Sequence, residues 1–166
     1  VERPAQADGP MSTVLVPRGM NSSPVSDGAA ILATAPGLTT GRMGGHGLEL
    51  VIRGQQQNQL NIIDAGSFTY GACPNRMDAP SSYIAPETYD RLTVIKGPQS
   101  VRWGPGASAG TVLFEREPER FEEPDSRVHA SVLGGSNGRF DKLLDAAIGN
   151  QNGYLRFAGN DAQSDD

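Results

Sequence analysis

The chain has 166 residues and a formal net charge of −5, with 21 glycines and 12 prolines. That length bounds it to one domain, or one domain plus a fragment. The acidic balance, with no run of Lys or Arg, excludes a nucleic-acid-binding surface. The glycine and proline content excludes long helices and predicts short elements joined by many turns. No apolar run is long enough for a transmembrane helix. No basic-then-apolar leader opens the chain, so any export signal is expected to have been removed. Cys73 is the only cysteine, which rules out an internal disulfide.

Residues 1–11 are polar and hold two prolines, which predicts a flexible arm. Ser12 to Val16 has the β-branched content of a short strand. Residues 17–24 form a loop, and Ser26 or Asp27 then caps a helix of about two turns over Ala29–Thr34, which Pro36-Gly37 stops. Strands are expected at 38–42, 48–54 and 60–63, and a long loop at 67–85. Structureless loops of that length in compact domains are usually functional. Pro86 to Arg91 reads as one further short helix, with proline in its first turn. It leads into Leu92-Thr93-Val94-Ile95, a short buried strand stopped by Lys96-Gly97-Pro98. Trp103-Gly104-Pro105-Gly106 and a run of small residues follow, then the β-rich Thr111-Val112-Leu113-Phe114.

The run Val94-Ile95-Lys96-Gly97-Pro98-Gln99-Ser100, then Trp103-Gly104-Pro105-Gly106-Ala107 and Gly110, resembles the signature of the plug domain of TonB-dependent outer-membrane receptors. In that family an aromatic, more often tyrosine, stands where this chain has Trp103. Val51-Ile52-Arg53-Gly54 is similar to a family strand, and Asp64-Ala65-Gly66 stands where the family shows a strand ending in Asp-Gly. The resemblance implies an α+β fold: a small plug with a mixed sheet of about four strands and two short helices. It also implies a TonB-type energy-transducing protein as partner and a place in the outer membrane of a Gram-negative cell, inside a barrel. The motif that contacts TonB lies near the N-terminus in such receptors; no convincing copy of it stands here, so Val1 to Pro4 is expected to follow an energy-coupling segment that has been cut away.

After Phe114 the texture changes. Residues 118–127 are a charged, proline-broken connector, which closes a plug spanning 12–117. Beyond it, Val128, Ala130 and Val132 share one strand face, and Leu144, Ala146 and Ile148 another. Asn150-Gln151-Asn152-Gly153 signals a hairpin, and Tyr154 to Ala158 the return strand. Apolar-out, polar-in strands of this kind fit the start of a membrane β-barrel over 128–166. At roughly ten residues per strand that stretch supplies about three, whereas closed barrels need at least about eight. The expectation is therefore a fragment, a plug with the first wall strands. The open edges predict that residues after about Ser126 are mobile, swapped or paired between chains.

Chemistry concentrates in Gly71-Ala72-Cys73-Pro74-Asn75-Arg76-Met77-Asp78. A thiolate and a thioether four residues apart on one loop can reach a single soft metal ion, and such ligands favour Cu(I). The competing reading is that Cys73 and Met77 fill a small apolar pocket. The Cys-Pro-Asn-Arg-Met-Asp run, Tyr83 after it and the Pro86–Val94 stretch resemble the copper-receptor branch of the family. There the loop Cys and Met bind copper, with further ligands from the barrel. The resemblance carries that role onto Cys73 and Met77 alone and implies half a site in this chain. His46 and His129 are weaker candidates. The glycines at 104, 106 and 110 have the wrong spacing for a dinucleotide loop. No nucleophile–base pair implies an enzyme. Arg53, Arg91, Glu115 and Glu117 are expected to form ion pairs between plug and wall. The alternatives are a plug for a siderophore or other metal chelate, and a periplasmic protein-interaction module without transport.

Overall fold

The computed structural model describes residues 12–16, 27–42, 47–71, 73, 78–97, 101–163 and 165. Among the described residues ten strands form three sheets. The central mixed sheet contains β1 (Ser12–Leu15), β4 (Leu60–Asp64), β5 (Ser67–Phe68), β6 (Arg91–Lys96) and β7 (Gly110–Glu115), in the order β1-β6-β7-β4-β5. Only the β4–β7 pair is parallel; β1–β6, β6–β7 and β4–β5 are antiparallel. The hairpin of β2 (Leu38–Gly41) and β3 (Glu49–Ile52) stands apart as a two-stranded sheet.

The α+β class is as expected, but the main sheet has five strands where about four were expected. The addition, β5, lies inside the stretch read as loop. It arises because Ala65 and Gly66 take φ of 46° and 93°, which folds the chain back on β4 in a tight hairpin. Alanine in that first turn position carries no hairpin signal. The first helix is α1 (Gly28–Leu32), with Asp27 as its cap, accepting from the Ala29 N–H at 2.8 Å. The second expected helix is only a 3-10 turn, Pro86–Thr88. Tyr89 turns extended at once because its ring belongs in the core, where it meets Phe114 edge-on at 5.4 Å.

Ile31 and Leu32 from α1, Leu50 and Ile52 from β3, and Val94 and Phe114 from the central sheet build the core. Phe114 is fully buried, and its ring lies so close to Gly28 that a Cβ there would sit 3.1 Å away. The glycine-rich signature stretch has a packing cause. Gly110 has φ of 154°, and a Cβ on it would stand 2.4 Å from the Ile95 carbonyl oxygen. That closeness lets β6 and β7 pair through to Lys96↔Gly110. The Trp103–Pro105 bend is pinned from β4, where the Asn61 side-chain amide donates to the carbonyls of Trp103 at 2.6 Å and Pro105 at 3.1 Å.

The last sheet is a meander of long strands, β8 (Asp125–Gly134), β9 (Phe140–Asn150) and β10 (Gly153–Gln163). β8 begins inside the stretch read as connector. These strands pair with one another within the chain. Their faces alternate. Val128, Val132, Leu155 and Phe157 point outward and are 62–72% exposed, whereas Asp145 on β9 is fully buried against the plug side. Among the described residues the outer edges of β8 and β10 pair with no strand, so the meander is an open piece of wall. No helix among the described residues is long and apolar enough to cross a membrane.

Candidate functional site

The loop after β5 leaves the sheet through two aromatic side chains, Phe68 and Tyr70, whose rings stack at 6.1 Å. At Gly71 the chain touches its own later course. A Cβ there would lie 2.4 Å from the carbonyl oxygen of Asp78, so positions 71 and 78 form a closed neck that only glycine permits. Cys73 stands just past this neck, half-buried and free. Met77 and His46 lie outside the described residues, so the sulfur pair is not placed as a pair.

The neck is anchored below. Ala79, Pro80 and Ser81 are buried, and the Ser81 hydroxyl donates to the Leu48 carbonyl at 3.0 Å. The 3-10 turn Pro80–Tyr83 thereby sits against β3 and α1. Tyr83 emerges from it more than half exposed. Its phenol is raised above its ordinary pKa by partial desolvation, then by Asp78, to which it is hydrogen-bonded, and in smaller part by Cys73. Cys73, Asp78 and Tyr83 are thus neighbours around the neck. No group of three or more His, Cys, Asp or Glu able to hold a metal exists among the described residues. His129, on the inward face of β8, joins no such group. The chemistry of the neck is one soft thiol flanked by an acid and a phenol.

Some of the charged residues expected at the plug–wall boundary pair within the plug. Arg91 pairs with Glu115 at 3.1 Å and with Glu117 at 3.5 Å, all on the plug side. Arg53 sits in the turn after β3 with φ of 52°. Contacts between plug and wall are also made by residues given no such role above. Arg156 on β10 reaches Asp90 at 3.1 Å and the Thr88 carbonyl at 2.7 Å, and Ser131 on β8 donates to Glu87 at 3.2 Å. The available signal was an arginine on the inward face of a wall strand, a position where an unpaired charge would be costly.

A family model described as the TonB-dependent receptor plug domain matches residues 5–111. The chain belongs to that family. Among solved structures, the copper transporter OprC is 62% identical, with a TM-score of 0.86 over 96% of this chain and 25% of its own. The siderophore receptor PirA from Acinetobacter baumannii superposes with a TM-score of 0.69 at 17% identity, over 93% of this chain and 24% of its own, and so shares the fold. The ferric enterobactin receptor PirA of Pseudomonas aeruginosa is 32% identical over 113 residues, 59% of this chain and 15% of its own length. The chain therefore spans about a quarter or less of these relatives, which are receptors and transporters rather than enzymes.

Proposed function

We propose that this chain is the gating plug and first wall strands of an outer-membrane receptor that imports copper, driven from the inner membrane through a TonB-type protein. Copper is the cargo. Cys73 and Met77 take it on the outward-facing loop, as one half of a site whose other ligands come from the rest of the barrel. Soft sulfur donors favour Cu(I). The plug occupies 12–117, preceded by an arm at 1–11 that faces the periplasm. The connector at 118–127 runs into β8, and the wall starts over 128–166.

The observation that carries this reading is the 62% identity across 96% of the chain to a copper transporter, against 17–21% to solved siderophore receptors of the same fold and 32% over 59% of the chain to a ferric enterobactin receptor. The position of Cys73 at a pinched, partly open neck supports it. The test is a Cu(I) titration of the full-length receptor under reducing conditions, with Cys73→Ser and Met77→Leu beside it. Each variant is expected to lose most of the affinity. Binding unchanged in both would remove the sulfur loop from the account and leave a plug for another metal chelate.

A further inference from the structure

The four residues from Glu87 to Asp90 face two ways. Tyr89 points into the plug, 4% exposed, and its hydroxyl donates to Asp64 at 2.6 Å. Its neighbours point to the wall. Glu87 accepts from Ser131 on β8. The Thr88 carbonyl and the Asp90 carboxylate both receive the guanidinium of Arg156 on β10.

Arg156 belongs to the wall by a firmer hold. Its Nε and Nη2 donate to the two oxygens of Asp145 on β9, at 3.0 and 3.1 Å, a bidentate grip on a carboxylate with no exposed surface. Glu119 of the connector lies 3.8 Å from the same guanidinium and pairs with Arg127 on β8. The wall side thus sets two arginines, Arg127 and Arg156, against Asp145 and Glu119. On the other side Asp90 has a plug partner of its own, the Glu117 N–H at 2.8 Å.

From this arrangement we infer that Arg156 is a reusable clasp: the plug parts from the wall between Arg156 and residues 88–90, and the guanidinium stays on the wall. Parting breaks the Asp90 and Thr88 contacts and the Ser131–Glu87 hydrogen bond. It leaves Arg156 gripped by Asp145 and Asp90 held by the Glu117 amide. An ordinary buried ion pair leaves an uncompensated charge when it opens, which is costly. Here each half keeps a partner, so the seam can open under a pull and close again. The inference needs only the family assignment and is independent of the metal carried.

The test is hydrogen exchange on the full-length receptor in detergent, comparing the parent, Asp90→Asn, Arg156→Gln and the double variant. Amides at 87–90 are expected to exchange about tenfold faster or more in each single variant, while β6 and β7 stay protected. The double variant should be no faster than Arg156→Gln alone, because both remove one coupling. Arg156→Lys should fall between. Unchanged exchange at 87–90, or effects of the two substitutions that multiply independently, would overturn the clasp. If Arg156→Gln prevents barrel folding, judged by heat-modifiable migration, Asp90→Asn and Ser131→Ala carry the same test from either side. A faster seam in both then supports the clasp, and a seam unchanged in both overturns it.

Discussion

Single side chains decide most of what this chain can do. Tyr89 is one. Burial first, and then its hydrogen bond to Asp64, raise its phenol far above the ordinary value near 10.0. The folded plug therefore favours the neutral phenol. The stability this gives is fully present below pH 10 and is lost as pH rises beyond it, because the unfolded chain ionises first. A spectroscopic alkaline titration should show one tyrosine ionising late, absent in Tyr89→Phe. In Asp64→Asn that step should move down yet stay above the ordinary value, since burial is the larger cause. Gly110→Ala is the backbone counterpart. With a carbonyl oxygen 2.4 Å from where the methyl carbon would sit, the strand pair must shift, and a loss of about 3 kcal/mol in denaturant unfolding is expected. A loss under about 0.5 kcal/mol would show that β6 and β7 have room to relax. Residue chemistry of this kind was partly legible in the sequence. The glycine signature and the thiol announced themselves, because glycine and cysteine are rare choices with narrow uses. Arg156 and Asp90 did not, because a charged residue on a strand or turn reveals its partner only after folding.

At the level of elements, hydrophobic pattern and turn chemistry were good guides where one face of an element is buried. β6 and β7 emerged close to their observed limits for that reason, whereas the three wall strands were located but run to 10 or 11 residues, about twice the stretches the alternation marks. The pattern failed at β5, whose two residues are exposed and whose turn uses alanine. It failed again at 86–91, where helical propensity lost to the packing of one buried tyrosine. The outward faces of β8 and β10 yield a prediction of their own. Val128 and Leu155 expose 69% and 72% of their surface in this chain, and on the proposed reading that face meets lipid. Val128→Arg or Leu155→Arg should destabilise the full receptor in a bilayer by about 2–4 kcal/mol if the residue sits at mid-depth. The same substitutions should matter little to a plug studied without its wall. Equal tolerance in both settings would contradict the lipid-facing assignment. Phe114→Ala should behave oppositely. It lies at 0% exposure in the plug core, and the loss of about 3–5 kcal/mol should appear with or without the wall.

At the largest scale the described residues form a plug-family α+β body joined to a three-stranded meander, which on the proposed reading is a stopper with a strip of its wall. Two features give it that character: a core confined to the plug side, and a polar seam where the plug meets β8 and β10. Such a seam suits a part that must be held and then moved, since polar contacts exchange for water at lower net cost than apolar ones. The fold and family were readable from one glycine-rich signature and one alternating tail, while the proposed cargo was signalled in the sequence only by a loop of eight residues and is carried by the likeness to a copper transporter. The most direct measurement is therefore anomalous X-ray scattering at the copper edge from crystals of the full-length receptor soaked with Cu(I) under reducing conditions. The account predicts a copper peak bonded to the Cys73 sulfur, with Met77 beside it, that disappears in Cys73→Ser. A peak of equal strength in that variant, or one on ligands away from residues 71–78, would contradict it.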